Sequence, residues 1–374
     1  MSTSESGGAV TRAKEPRRFF VKQLAGEQPL SFEIARQLCR LAAELFAVKP
    51  WEFLEDQDLI LIRDADSGEI CYCSIMGALG QVFAFQVYTG AESYRFFRRM
   101  ASGKPLSAGD FFASVRGVFA EFVTAKEQTP PDRELLEAIG HVNKRGQRAP
   151  IFRALRPGYH PWYVTESEAK ALVNCLQGVI AFCGQALEQG GIDYWEKEDV
   201  FPLLVPKTHD ESRGAFEIRL IKAPEPPLVA PQAAELEESL VSSILHENLP
   251  RGGTLEADHF VTGATIGGKN ERKACLRMAM VTDARSGFAF QPELGKPEDS
   301  TGQLLVRVLL SAMRAGQRVP REVRVRQKDF EIYLSTLSER LRFDVRVMKS
   351  LPALDTLKDH FLAMIGDPGE FSAL

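Results

Sequence analysis

The sequence predicts an α+β protein in two domains, and three observations carry that prediction. Apolar stripes at helical spacing recur between short β-rich runs along the chain. A proline-rich segment at residues 223–231 separates two stretches that each hold enough apolar residues for a core. The order of elements also differs on its two sides. Before the prolines, consecutive strands read as an antiparallel β-meander with helices. After them, strands separated by helices favour a mixed sheet with parallel crossovers.

Residues 1–17 are rich in Ser, Gly, Thr and charge without an apolar period, so a flexible tail is expected there. The N-terminal domain is then read as 18–222. From Ser31, SFEIARQLCRLAAELFAV puts Ile34, Leu38, Leu41 and Leu45 on one stripe behind a serine cap, a core-facing helix. DLILIRD, ICYCSIMG and QVFAFQVYTG follow as three strands, broken by Asp64-Ala65-Asp66-Ser67-Gly68 and Gly77-Ala78-Leu79-Gly80. AESYRFFRRMA returns to helical spacing, VFAEFVTA reads as a strand, and Thr129-Pro130-Pro131-Asp132 caps a further helix. A connecting loop and a second loop, RPGYHPWYVT, lead to a long helix over ESEAKALVNCLQGVIAFCGQAL, and VFPLLVP and AFEIRLIK form a hairpin around KTHDESRG.

Four prolines in the nine residues of APEPPLVAP forbid regular structure, which places the linker at 223–231 and the C-terminal α/β domain at 232–374. That domain is expected to open with the helix AAELEESLVSSILHENL and to pass through a glycine-rich stretch into the hairpin LRMAMVTDARSGFAFQPEL. Helices over TGQLLVRVLLSAMRAG, DFEIYLSTLSERL and LDTLKDHFLAMI then alternate with the strands REVRVRQ and RFDVRVM. Both halves contain a hairpin with Asp-Ala-x-Ser-Gly at its turn, read here as convergent turn chemistry.

Composition narrows the function classes. With 44% hydrophobic and 26% charged residues the chain is neither disordered, collagenous nor a disulfide miniprotein, and a net charge of -4 gives no global attraction to nucleic acid or anionic lipid. No apolar run is read as approaching the roughly 18–20 residues of a membrane span, and the polar start lacks the core of a secretory signal. A cytoplasmic location without membrane contact is therefore expected. The six cysteines form no CxxC pair, and Cys71 and Cys73 fall on one face of a strand as buried small hydrophobes.

The stretch from Trp51 to Gly90, with GEICYCSIMGALGQ and VYTG, together with APIFRALRPGYHPW, resembles an uncharacterised bacterial family of paired domains of unknown function. The segments VPREVRVRQKDFEIYLSTLSERLRFDVRV and LPALDTLKDHF are similar to that family's second domain. The resemblance implies the two-part layout and a bacterial source, and it implies no activity.

Motifs of chemistry are weak throughout. Gly77 and Gly80 lead into a strand rather than a helix, and in TGATIGGKNERK the phosphate-loop spacing is broken, so a solvated loop is expected at 262–273. The six histidines show no metal-ligand spacing and no serine lies in GxSxG; neither a metal, a cofactor nor a catalytic residue is assigned. Hairpin, helix, strand, helix, strand, helix after Ala274 imitates a ribonuclease H-like core, with Asp283, Asp329 and Asp355 or Asp359 as its acids. Asp283 is already explained by its turn, and Arg326 and Gln327 stand where another acid is needed, so such a core would be degenerate.

Two surfaces remain as binding candidates. Residues 225–258 carry net charge -6 and 307–349 carry +6, and strand alternation sets Arg324, Arg326 and Arg346 opposite the apolar face. They form an anion or nucleic-acid surface, or a solvated edge, or they pair with the acidic 225–258 segment. Tyr159, His160 and Trp162, with Tyr163, sit on a proline-stiffened loop, as a core plug or as a recognition loop. The leading expectation is a non-enzymatic binding or scaffolding protein with a protein partner. The alternative is a nucleic-acid-associated protein with an inactive or weak ribonuclease H-like domain.

Overall fold

A computed structural model of the chain describes residues 23, 26–103, 106, 108–142, 144, 146–188, 200–207, 216–222 and 230–365. The expected tail at 1–17, the turn residues 208–215 and linker residues 223–229 lie outside the described residues.

The N-terminal half is built on α1 (Phe32–Val48), β1 (Ile60–Arg63), β2 (Ile70–Met76), β3 (Ala84–Thr89), α2 (Gly90–Ala101), α3 (Ala108–Ser114) and β4 (Gly117–Thr124). It continues with α4 (Pro130–Ala138), β5 (Arg148–Leu155), α5 (Glu166–Glu188), β6 (Val200–Pro206) and β7 (Phe216–Lys222). The Ser31 hydroxyl caps α1 as its sequence predicts, and Thr129 and Asp132 close a reciprocal capping box on α4. The meander is larger than the three strands expected: β5-β4-β3-β2-β1-β6-β7 form one seven-stranded sheet, in which β6 joins β1 in parallel and every other pair is antiparallel. Strand β5 falls within the stretch read as a connecting loop.

Alternation along these strands buries two faces. Cys71, Cys73 and Ile75 point with Phe85 and Val87 toward α1 and α5, whereas Tyr72, Tyr88 and Leu61 pack under Tyr94 and Phe97 of α2. Helix α5 corrects the expectation that no apolar run reaches membrane length: its 23 residues are long and apolar enough by composition. Ten of them, including Leu172, Leu176, Val179 and Phe182, are buried in the protein. An apolar helix wedged between a sheet and a neighbouring helix has the same composition as one in lipid.

The C-terminal half comprises α6 (Glu238–Glu247), β8 (Thr254–Ile266), β9 (Ala274–Asp283), β10 (Glu293–Gly295), α7 (Thr301–Ala315), β11 (Glu322–Val325), α8 (Lys328–Tyr333), α9 (Ser335–Leu341), β12 (Asp344–Val347) and α10 (Pro352–Ile365). Its five strands are ordered β10-β9-β8-β11-β12, with β8, β9 and β10 antiparallel and β11 and β12 parallel to β8. The mixed sheet with crossovers is thus present. One face packs on α6, α7, α8 and α9 through Leu255, Ala257, Val323 and Val325, and the other carries α10 over Met278, Met280 and Leu354.

The central strand β8 is the largest departure from the sequence reading, which took the stretch before the hairpin as glycine-rich and 262–273 as a loop. Residues 262–266 complete β8, with the register shifted between Val261 and Thr265, and only the following residues turn. The turn does not present a phosphate cradle, because Lys273 Nζ is spent on the carbonyls of Gly267 and Gly268 and the Gly268 amide donates to the Glu271 carboxylate. Helix α6 is shorter than expected and stops at Asn248, in the left-handed conformation. The two Asp-Ala-x-Ser-Gly turns are alike: Asp64 accepts from Ser67 N and Oγ as Asp283 does from Ser286.

Candidate functional site

The loop following β5 joins the two halves. Gly158 N donates to Phe112 O, Cys275 N donates to Gly158 O at 2.8 Å, and His160 N donates to Lys273 O at 2.9 Å. Tyr159 pairs as a single β-bridge with Ala274, and its hydroxyl donates to Glu298. A Cβ on Gly158 would lie 2.7 Å from Pro297 Cβ, and Gly158 has φ +83°, so glycine is required twice over. Trp162 exchanges both backbone bonds with Ala154, and Tyr163 lies under the Arg153 guanidinium at 4.4 Å from its ring centroid. All four aromatic side chains of the loop are half-buried. The structure therefore brings Tyr159 and His160 to the joint between the halves and sets Trp162 back against β5.

Beside this joint lies a cleft of about 910 Å³. Its N-terminal wall comes from Arg99 on α2, from Gly109, Asp110 and Ser114 on or next to α3, and from Pro157 and Gly158. The facing wall is built from Asp258, His259, Phe260 and Thr262 of β8, Arg277 of β9, Thr301 of α7, Arg326 and Gln327 after β11, Tyr333 of α8 and Lys358 of α10. A pocket walled by two domains and of this size is within the range of small-ligand sites.

The polar groups of this cleft differ in what they have left to offer. Arg277 donates to the carbonyls of Lys296, Pro297 and Asp299 and to Thr301 Oγ1, so it holds the loop before α7. Asp258 is 2% exposed; burial raises its carboxyl above the usual range against the opposing charges of Lys358 and Arg326. Burial, then the charges of Arg277 and Lys358, push the His259 imidazole down to about 3, so it is neutral at physiological pH. His259 Nε2 is shielded from solvent and has no hydrogen-bond partner among the described residues. Lys358 Nζ sits 4.4 Å from the Phe260 ring centroid and makes no hydrogen bond among the described residues.

The three arginines singled out from the sequence do not stand as one open patch. Arg324 and Arg346 are register partners on β11 and β12, and both reach Glu322, at 2.7 and 3.4 Å. Arg326 turns into the cleft between Asp258 and Asp355. One carboxylate serves two guanidiniums at the first position, which keeps one net positive charge there, and two serve one at the second, which keeps one net negative charge, so no position gathers all three cations. The acids of the imagined metal core do not gather either. Asp283 is held by its own turn and by Arg318, Asp329 and Asp359 are exposed, and Asp355 binds Arg326 and caps α10. Among the described residues no three His, Cys, Asp or Glu side chains are placed to hold a metal ion.

Arg99, His259, Arg277 and Lys358 were not anticipated from the sequence. Each comes from a different element, and no spacing along the chain links them.

Residues 36–201 match the model of a domain of unknown function (DUF7309), and residues 244–362 match that of a second domain of unknown function (DUF6930). The chain belongs to an uncharacterised family of such paired domains. The first matched domain contributes Arg99, Asp110 and Gly158 to the cleft and the second contributes the opposite wall, so the pairing itself creates the site. No curated protein matches the chain.

Proposed function

We propose that the chain is a non-enzymatic, cytoplasmic binding protein that holds an acidic ligand, such as a carboxylate-bearing segment of a protein partner, in the cleft between its two domains. The observation that carries this reading is the cleft itself, lined by Arg99, Arg277, Arg326 and Lys358 against Asp110 and Asp258, with Arg99 and Lys358 in no ion pair among the described residues. Neutral His259 offers a shielded ring nitrogen beside them. The buried acids are neutralised or engaged, so the wall presents hydrogen bonding and positive charge without an activated nucleophile. Six free cysteines suit a reducing compartment.

The test uses an oligo-glutamate peptide and inorganic polyphosphate as probes in titrations at increasing salt. Weak binding that falls with salt and disappears in Arg99→Ala/Lys358→Ala is expected. Binding retained by that variant but lost in Arg324→Ser/Arg346→Ser, which leaves the cleft lining untouched, would move the site to the arginine strands.

A second reading has its own observation. In the C-terminal sheet an antiparallel β8-β9-β10 meander is extended beside its first strand by two parallel strands, which supports the ribonuclease H-like alternative. The Arg326 guanidinium between Asp258 and Asp355 supports an inactive version, since a cation of the chain already fills that acidic position. Single-stranded oligonucleotide binding tighter than either probe would favour this alternative.

A further inference from the structure

We propose that Arg272 is a strained cation that biases the joint between the two domains toward opening and so controls entry to the cleft, an inference that rests on reading the cleft as the binding site. Arg272 is 5% exposed, and its Nε, Nη1 and Nη2 atoms are all shielded from solvent and find no hydrogen-bond partner among the described residues. A guanidinium has five N–H donors, and burying a cation with its donors unmet is among the costliest arrangements in a protein interior.

The neighbours of Arg272 explain why it is unmet. The carboxylates whose charge reaches it are Glu168 and Glu27, and both are engaged by Arg156. Glu168 is further fixed by Thr165, whose amide and hydroxyl donate to its other oxygen at the start of α5. Arg156 therefore competes successfully for both acids and adds a like charge beside Arg272. Burial and that like charge pull the Arg272 guanidinium below the usual arginine range, in keeping with a cation held where it is poorly solvated. Arg277, the next arginine along the chain, shows the contrast, with carbonyls and a hydroxyl around it.

Position turns this strain into a bias on one joint. Arg272 directly precedes Lys273, whose carbonyl accepts the His160 amide, and Cys275 donates to Gly158 from the same strand end. Separation of that strand end from the Pro157–His160 loop would break those two bonds and admit water to the guanidinium. The closed arrangement bears the desolvation cost and the open one is relieved of it, so the equilibrium shifts toward opening by the difference. The same loop supplies Pro157 and Gly158 to the cleft wall, so the motion that hydrates Arg272 also widens the site.

Hydrogen exchange on the full-length chain without ligand reads the joint directly. In Arg272→Met the amides of His160 and Cys275 are expected to exchange about tenfold more slowly than in the wild type, with the melting midpoint up by about 2–4 °C. Amides in β2 and β3 are expected to be unchanged. Arg272→Lys keeps the buried charge and is expected to retain fast exchange at the joint. Faster or equal exchange in Arg272→Met, a lowered melting point, failure of that variant to fold, or slowing by Arg272→Lys to the same degree would each overturn the proposal. Polyphosphate association distinguishes the two readings. A slowed joint with slower association supports control of entry, whereas a slowed joint with unaltered association leaves the strain in place and removes the cleft as the site it controls.

Discussion

Asp132 and Arg153 show how much a single pair can carry. Their side chains are 4% and 12% exposed and meet through two bonds, of 2.8 and 2.6 Å, while Thr129 and the Arg153–Tyr163 stack complete the surroundings. Burial opposes the charge on Asp132, yet the bonds and charge of Arg153 outweigh it and hold the carboxyl below its ordinary value. Removing one partner strands the other, so Asp132→Asn is expected to cost about 3–5 kcal/mol in denaturant unfolding, and an apolar replacement of both residues much less. Because the folded value is depressed, this stabilisation is complete above the unfolded carboxyl value near pH 4 and is lost as pH falls through the folded one. Acid titration of the asparagine variant should therefore show a shallower loss of stability below about pH 4 than the wild type.

Thiol chemistry belongs to the same scale. Hydrogen bonding to Cys175 and then burial push the Cys71 thiol up, and burial pushes Cys73 up, so neither forms a thiolate readily. Under native conditions both should label slowly, and half-buried Cys39 should label first. Rapid modification of Cys71 or Cys73 would show that β2 opens. The burial of these two cysteines was legible from their two-residue step in an apolar run. Their contact with Cys175 was not, because it is made by a helix about a hundred residues away.

At the scale of elements, an apolar stripe with a serine cap located α1, a capping motif located α4, and helical patterning located α5 and α7, because each signal is local to the chain. Strand β8 was hidden because Glu256, Asp258 and Thr262, all 2% exposed, occupy buried positions that a strand pattern assigns to apolar residues. Leu354 N donates to Glu256 and Arg326 meets Asp258, so partners supplied by α10 and by the turn after β11 make the burial tolerable. Close approaches between elements were hidden for a similar reason. A Cβ on Gly117 would lie 1.9 Å from Val87 O, so Gly117→Ala should prevent β3 and β4 from pairing and abolish soluble folded protein, read by expression and circular dichroism. Gly158→Ala acts only at the joint. It should leave secondary structure intact while raising exchange of the His160 and Cys275 amides, and unchanged exchange there would show that Pro297 moves aside.

For the whole molecule, the two sheets have separate cores, and the prolines at 223–231 fall between the two matched domains. Limited proteolysis is expected to cut first in that segment and to release two resistant fragments, held together until the joint at Gly158 and Lys273 is broken. Scattered cleavage through both halves would count against a boundary there. The sequence by itself determined the α+β class, the two-domain layout and most helices, since these follow from local periodicity, caps and breakers. Only the tertiary structure decided where charge is spent. It brought Arg346 to Glu322, and Asp258 and Asp355 to Arg326, and it gathered Arg99, His259 and Lys358 around one cleft. Ion pairs and cleft walls depend on contacts between residues far apart in the chain, and a single sequence carries no spacing that records them.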